Sequence, residues 1–451
     1  MRIEPETFAF TLLLGFLAAV PYSGIDINLP ALAATGAALG VTASDVGLTM
    51  SAFMLSLATA PLMYGPVSDR VGRKPVLAFG LALFVAASLG CAGSTSLPAL
   101  LLCRFLQGVG AAATSTTFAI IRDLFGGNAA RGKIANVMVA VNVATVIAPT
   151  AGAALLAAAG WQSIYATQAG IGLALLVVVM CRFNETATIA PSGRLMPSTV
   201  IDSYHRVLMH PVALPFILVG AAGGATVFAY VTGASLYFIG AVGLPPEQYG
   251  LIFSACSAAV MIGAFLDGQL GRRGLSSARM LATGLTLSTT ASVALLAMTL
   301  AGWMPTAVVV ALLMAVALGF GLSVPNVMSA TMQRLPEIAG AVSAAAGSIQ
   351  LTAGAISSAL VSVRFDGRTA LSMTSVMAAS SLLALGLYLL VARPAERRLQ
   401  SLTIDANAAI QSPAKLLSSR DRASLALRDH ASSSSSNISS TRSNGASRIG
   451  L

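Results

Sequence analysis

Between two long apolar runs the chain reads Gly65-Pro66-Val67-Ser68-Asp69-Arg70-Val71-Gly72-Arg73-Lys74-Pro75. A run of about 20 apolar residues can cross a bilayer as a helix, so this loop must reverse the chain at a membrane surface. Gly65 permits a close approach of helices, and Gly72 allows a turn that a side chain would obstruct. Asp69 can stabilise the positive N-terminal end of the following helix. Three basic side chains anchor the loop to the cytoplasmic face: Arg70, Arg73 and Lys74.

Apolar runs continue on both sides of this loop through most of the 451 residues, of which 56% are hydrophobic and 9% charged. A soluble domain carries roughly a quarter of its residues charged. The composition therefore excludes an ordinary soluble enzyme, a disordered protein and a nucleic-acid binder with a dense basic surface. We predict an all-α integral membrane protein with twelve transmembrane helices, spans 1 to 12, at 8–34, 45–67, 75–97, 99–121, 133–158, 161–182, 212–240, 248–270, 278–300, 304–333, 339–363 and 369–392.

The basic residues between these spans predict the topology. The loops after spans 1, 3, 5, 7 and 9 contain no Lys or Arg, and only Arg364 and Arg368 follow span 11. Cytoplasmic loops carry an excess of basic residues, so both termini are expected in the cytoplasm. The residues after even-numbered spans are Arg70, Arg73, Lys74, Arg122, Arg131, Lys133, Arg182, Arg194, Arg206, Arg272, Arg273, Arg279 and Arg334.

The longest internal loop divides the spans into two sets of six. We predict an N-terminal half at 1–183, a cytoplasmic linker at 184–211 and a C-terminal half at 212–392. The Gly-x-x-x-Asp pattern that ends at Asp69 recurs at Asp267, and Gly-basic-basic follows both copies, as in a transporter built from two parallel repeats. The tail at 393–451 is basic and Ser-rich and is expected to be disordered.

Two charged residues lie well inside the spans. Asp26 is near the outer end of span 1, and Arg104 is several residues in from the outer start of span 4, so the two can meet within the first half. A charge at the bilayer centre costs about 2.5–3.5 kcal/mol on insertion scales, so each needs a purpose or a partner. Two interpretations remain open: a structural ion pair that fixes helix packing, or a proton-coupling pair in which Asp26 gains and loses a proton.

Other polar residues within the spans are candidates for the wall of a substrate cavity. Each can instead join two helices by a hydrogen bond. Met50 and Met54 can form an adaptable apolar wall or simply pack. The polar candidates are Tyr22, Gln107, Asn142, Tyr230, Tyr237, Asn326 and Gln350.

The sequence gives no support for enzyme chemistry within the spans. The three histidines fall outside them, and the four cysteines have no metal-ligand spacing and are expected to be buried free thiols. The sequence has no zinc-protease, serine-hydrolase or ATP-binding loop pattern. We expect no enzyme, metal or cofactor, and transport must take its energy from something other than ATP bound to this chain.

The loop at 65–75 resembles the GxLaDrxGRkxxl pattern of the major facilitator superfamily. Further segments are similar to its Bcr/CflA-type drug-resistance exporters, which are drug:proton antiporters. These segments are 25–32 in span 1, 104–112 and 121–125 around span 4, and 228–235 with 249–253 around spans 7 and 8. The superfamily's antiporters usually carry a GPxxGG-like kink in helix five. Here the corresponding stretch keeps only Pro149 and Gly152.

The resemblance implies a function for the deep charges, since family members use a helix-one acid and a helix-four arginine for coupling. It implies export of hydrophobic drugs in exchange for protons across a bacterial inner membrane, by a monomer whose 65–74 loop braces the cytoplasmic gate. It leaves open a proton-coupled carrier of one metabolite, working in either direction. A non-transporting membrane sensor is a third alternative, for which deletion of 393–451 should abolish function and not spare it.

Overall fold

The computed structural model of the chain describes residues 4–186, 197–335 and 338–398. The chain divides into two units, residues 1–392 and 393–451. Residues 187–196 of the predicted linker and residues 399–451 of the predicted tail lie outside the described residues. The account below concerns the first unit.

The described residues are mostly helical and contain twelve helices that are long and apolar enough to cross a membrane, so the predicted all-α membrane fold is confirmed. Residues at many outward positions are large and apolar, as a lipid-facing surface requires. The observed bounds of spans 1 to 12 are Phe8–Leu39, Ala43–Val71, Arg73–Ala92, Leu97–Leu124, Gly132–Ala159, Trp161–Arg182, Ala213–Ala241, Pro246–Arg272, Ser277–Leu300, Thr306–Met332, Gly340–Val363 and Leu371–Arg398.

Local sequence sets several of these bounds. Span 2 begins with a capping box, in which the Thr42 hydroxyl accepts the Asp45 N–H at 3.1 Å and the Asp45 carboxylate accepts the Thr42 N–H at 3.1 Å. Span 1 is not one continuous helix. Its α-helix Phe8–Asp26 gives way to a 3₁₀ turn at Leu29–Ala31, where Pro30 cannot donate a backbone hydrogen bond.

The two halves pack together along two pairs of helices. Span 2 lies along span 11, and span 5 lies along span 8. We call the end that carries the loops after odd-numbered spans the outer end, since it is the predicted periplasmic end. Two hydrogen bonds between the halves involve serines of the second half: Ser235 Oγ donates to the Leu29 carbonyl at 2.5 Å, and Ser254 Oγ donates to the Val146 carbonyl at 2.6 Å.

The linker between the halves contains a helix that the sequence reading missed. Residues 184–211 were expected to form a loop, but Pro197–Leu208 is helical. Val207 is fully buried and packs in one cluster with Ile217 of span 7 and Val342 of span 11. This helix is anchored because it buries apolar surface against the second half.

The four cysteines are free thiols, but they do not share one environment. Cys91 and Cys256 are buried, Cys103 is partly buried, and Cys181 is exposed. The expectation that all four are buried is therefore wrong for Cys181, which faces outward from the last turn of span 6.

Candidate functional site at the interface of the two halves

Asp26 ends the first helical segment of span 1 and faces the second half of the molecule. It is 6% exposed. Its carboxylate lies within electrostatic range of Tyr230 of span 7 and Tyr249 of span 8. Among the described residues it forms no hydrogen bond or ion pair. Asp26 is thus an acid at the interface of the halves whose charge is not matched by a nearby base.

Two buried tyrosines surround Asp26 from the second half. Tyr230 stacks on Phe253 with ring centroids 5.7 Å apart, and Tyr249 packs on the same ring at 6.2 Å. Neither phenol oxygen forms a hydrogen bond of ordinary geometry among the described residues, although the Tyr230 hydroxyl lies beside the Cys256 thiol and the Tyr249 hydroxyl beside that of Ser235. Buried polar groups are usually paired, so this cluster can accept a water molecule, a proton carrier or a polar group of a ligand.

Arg104 is fully buried and is held by neutral groups. One of its amino groups donates to the Gly24 carbonyl at 3.2 Å and to Oε1 of Gln107 at 2.7 Å. Its guanidinium also lies over the Phe53 ring, 4.2 Å from the centroid.

The predicted meeting of Asp26 and Arg104 is not made in this conformation, since no ion pair among the described residues joins them. Arg104 instead hydrogen-bonds the backbone of Gly24, two residues before Asp26. The reason is that the amino groups of the guanidinium are bound inside the first half, although its Nε has no hydrogen-bond partner among the described residues, while the carboxylate faces the second half. Arg104 therefore contacts the turn that carries Asp26 without neutralising it.

Gln107 belongs to the Arg104 network, in agreement with its spacing of one helical turn. Its amide donates to Ser88 Oγ at 2.7 Å and to Oε1 of Gln168 at 2.6 Å. Because Gln107 and Ser88 are fully buried, this network joins spans 3, 4 and 6 and does not line an open cavity.

The remaining cavity candidates divide by exposure. Tyr22 lies one turn before Asp26 on the same face of span 1 and is 46% exposed. Asn142 is partly buried.

Tyr237 is buried at the outer end of span 7. Met50 and Met54 are buried, and Met54 packs close to Gly354 of span 11.

Two other candidates join helices within the second half. Asn326 donates to the Asp267 carboxylate at 2.5 Å and to the Leu322 carbonyl at 2.8 Å. Gln350 donates to the Gly220 carbonyl at 3.3 Å and lines a cavity of about 50 Å³ between spans 7, 9, 10 and 11. Asn326 thus ties span 8 to span 10.

The loop at 65–75 forms a polar cluster around Arg73. Its guanidinium donates to Ser68 Oγ at 2.6 Å and pairs with Asp69 at 2.5 Å and with Asp123 of span 4 at 2.9 Å. Arg70 is exposed. Lys74 donates to the Met180 carbonyl of span 6 at 2.9 Å. These contacts fasten spans 2, 3, 4 and 6 to one another.

The two glycines of this loop differ in role. Gly72 has φ of +107°, a conformation that side chains rarely adopt, so the predicted turn is present. The prediction for Gly65 is wrong, because it is exposed and nothing lies within 4 Å of where a Cβ would point.

The carboxylate at the start of span 3 is also not the one predicted. Asp69 is engaged by Arg73, and Glu185 instead accepts the backbone N–H groups of Arg73 at 2.8 Å and Lys74 at 3.1 Å. Glu185 lies 111 residues from Lys74 in the sequence, so no local pattern could have revealed this contact.

The kink region of span 5 contacts both span 1 and span 8. A Cβ on Gly152 would lie 2.0 Å from the Ile27 carbonyl oxygen, and one on Gly250 would lie 3.2 Å from the Pro149 carbonyl oxygen. Thr150 Oγ1 and Ser254 Oγ are 3.0 Å apart. Pro149 therefore sits at a joint between the two halves, and Ser254 is a residue of that joint that sequence reading missed.

The sequence profile of the Major Facilitator Superfamily matches residues 11–358. The chain belongs to the major facilitator superfamily. The MFS-type transporter YdgK of Bacillus subtilis is 30% identical over 82% of this chain and 92% of its own length. The bicyclomycin resistance protein homologue of Haemophilus influenzae is 26% identical over 88% of this chain and 100% of its own. The relative named for bicyclomycin resistance supports the drug-resistance branch of the superfamily.

Solved structures of the superfamily share this fold. A POT family transporter in complex with 5-aminolevulinic acid has a TM-score of 0.70 at 13% identity, and the comparison covers 88% of this chain and 98% of that one. With twelve spans and bacterial relatives, this superfamily member is a multi-pass protein of the bacterial inner membrane.

Proposed function

We propose that this transporter exports hydrophobic small molecules, antibiotics among them, in exchange for protons. The relatives named for drug resistance support the substrate class. The observation that carries the coupling is the placement of Asp26, a buried acid that faces the second half with no base paired to it among the described residues. A carboxyl group in such a place gains or loses a proton according to what lies beside it.

The proposed cycle assigns a role to each polar group. Asp26 carries the proton while the outer end is closed, and substrate binding beside Tyr22 and Tyr230 releases that proton to the cytoplasm. Arg104 keeps a positive charge near the turn of Asp26 and stabilises the ionised form once the helices shift. After the halves rock, a periplasmic proton returns to Asp26 and the substrate leaves.

The experiment is drug-induced proton release from the purified full-length protein in detergent, with wild type and Asp26→Asn compared. The panel holds chloramphenicol, a sulfonamide, a bicyclic peptide antibiotic and lipophilic cations. We expect release of about one proton per bound drug in wild type, because Asp26 is the one buried acid between the halves within the described part of the chain, and none in Asp26→Asn. Binding by equilibrium dialysis is measured in parallel.

Asp202→Asn is the matched control, because Asp202 is an exposed carboxylate on the linker helix. It should release protons as wild type does. Drug binding without proton release at any pH would end the antiport proposal and return Asp26 to a structural role. Failure to bind the whole panel would favour the carrier of a specific metabolite.

A further inference from the structure

Glu185 joins the start of the linker to the loop between spans 2 and 3. It lies three residues after the end of span 6. One carboxylate oxygen accepts the N–H of Arg73 at 2.8 Å and that of Thr186 at 2.9 Å, while the other accepts the N–H of Lys74 at 3.1 Å. One side chain thus satisfies the two backbone donors that begin span 3.

The fit between this carboxylate and the loop is close. A Cβ at Gly72 would lie 2.4 Å from Oε2 of Glu185, so only glycine leaves room for the carboxylate here. The positive φ of Gly72 turns the next two N–H groups toward the carboxylate. A negative charge at a helix N-terminus is favourable because the first N–H groups lack partners within the helix.

Two residues held by Glu185 also tie span 3 to its neighbours. Arg73 donates its backbone N–H to Glu185 while its guanidinium reaches Ser68, Asp69 and Asp123. Lys74 donates its backbone N–H to Glu185 while its ammonium group donates to the carbonyl of Met180. The position of both side chains therefore depends on a backbone that Glu185 fixes.

We propose that Glu185 is a positioning residue for transport. By holding the backbone of Arg73 and Lys74, it aligns the Arg73 cluster and makes the loop and the first residues of the linker move as one body. The transport part of this inference rests on the proposed function, whereas the holding of the backbone does not.

The first test measures amide hydrogen exchange in the full-length protein, in peptides that cover residues 66–76. In Glu185→Ala the amides of Arg73 and Lys74 lose their acceptor, and we expect their exchange to accelerate by on the order of 10-fold. Glu185→Gln keeps one acceptor oxygen and should give an intermediate rate. Glu247→Ala is the matched control, since Glu247 is an exposed acid in the first turn of span 8.

The second test separates transport rate from substrate affinity in proteoliposomes. Glu185→Ala should lower the maximal rate by about 10-fold and leave the binding constant within about twofold, because gating and not the binding site is affected. Glu185→Gln should restore part of the rate. Glu247→Ala should match wild type in both.

The outcomes distinguish this inference from the proposed function. Unchanged exchange at 66–76 in Glu185→Ala and Glu185→Gln overturns the positioning role, whatever the substrate. Faster exchange with a normal transport rate also overturns it, since the contact would then be structural only. A third outcome is faster exchange in Glu185→Ala together with a wild type that transports none of the drugs in the panel. This result supports the role of Glu185 in holding the loop and contradicts the proposed drug export.

Discussion

At the scale of single residues, Arg104 is a positive charge buried among neutral groups. Its buried guanidinium has a backbone carbonyl, an amide oxygen and an aromatic face as neighbours, and no carboxylate partner among the described residues. A buried charge without a counter-charge is expensive, so such an arrangement persists only where hydrogen bonds satisfy most of its donors. The result is a fixed positive charge beside the turn that carries Asp26.

His210 is a second residue whose charge state matters, and it lies outside the spans. Its Nδ1 accepts the N–H groups of Val212 at 3.2 Å and Ala213 at 3.1 Å, at the start of span 7. Burial, and secondarily the positive charge of Arg334, lowers the pKa of His210 below its ordinary value of 6.5. A protonated ring could not accept these bonds as readily, so the folded state favours the neutral form.

This arrangement predicts a pH-dependent stability. The pKa of His210 is lower in the folded state than in the unfolded state, so the unfolded chain binds more protons and stability rises with pH. The contribution is fully present above pH 6.5 and is lost as the pH falls through the lowered value. Thermal unfolding of wild type should therefore show a steeper loss below pH 6.5 than His210→Asn, whose amide oxygen accepts the same N–H groups without titrating. Parallel pH profiles for the two proteins would contradict the assignment.

At the scale of helices, span 5 packs closely against both span 1 and span 8. Pro149 interrupts its hydrogen-bond ladder, and Gly152 lets the backbone of Ile27 approach from span 1. On another face Ser254 of span 8 donates to the Val146 carbonyl. Span 5 therefore contacts the helix of Asp26 on one side and the second half on the other.

Gly152→Ala tests this packing. Its Cβ would lie 2.0 Å from the Ile27 carbonyl oxygen, a backbone atom in the turn that follows the helix Phe8–Asp26, so the backbone of span 1 or span 5 would have to shift. We expect a loss of about 1–3 kcal/mol in stability, the usual result of overpacking, together with slower transport. The measurement is thermal unfolding in detergent with transport assayed beside it.

Gly170→Ala is the control for this prediction. Gly170 is a helical glycine in span 6, and nothing lies within 4 Å of where its Cβ would point. The added methyl group should leave stability unchanged or raise it slightly, because Ala favours helix over Gly by about 1 kcal/mol. Equal effects of the two substitutions would show that the contact with Ile27 is not tight.

For the molecule as a whole, several contacts at the outer end join the two halves. Besides the hydrogen bonds of Ser235 and Ser254, Gly47 of span 2 packs against Ser362 of span 11. Transport by alternating access requires that these contacts break in each cycle. A covalent link across them should therefore hold the transporter in one state.

Gly47→Cys combined with Ser362→Cys supplies that link, in a protein whose four native cysteines are replaced by serine. A Cβ at position 47 would lie 3.2 Å from the Cβ of residue 362, near the ~3.5–4.5 Å span of a disulfide. Oxidation should reduce transport at least about 10-fold while substrate still binds, and dithiothreitol should restore it. Each single substitution serves as a control. Full transport by the cross-linked protein would show that the outer end need not open.

The sequence by itself determined the fold class, because apolar runs long enough to span a bilayer leave a backbone no stable alternative to helix. It also identified Asp26, Arg104 and the turn at Gly72, since a charge within an apolar run or a glycine in a short loop is locally visible. The sequence also indicated the kink in span 5, because Pro149 stands inside an apolar run. Each of these features depends on residues adjacent in the chain.

The tertiary structure alone decided which groups meet. Asp26 faces the tyrosines of the second half and not Arg104, and the carboxylate at span 3 comes from Glu185 and not from the nearby Asp69. Such pairings depend on how helices far apart in sequence are rotated and packed. The packing determines which of several acceptors comes within hydrogen-bond distance of each donor. Local periodicity places a side chain on a helix face, but only packing determines what that face contacts.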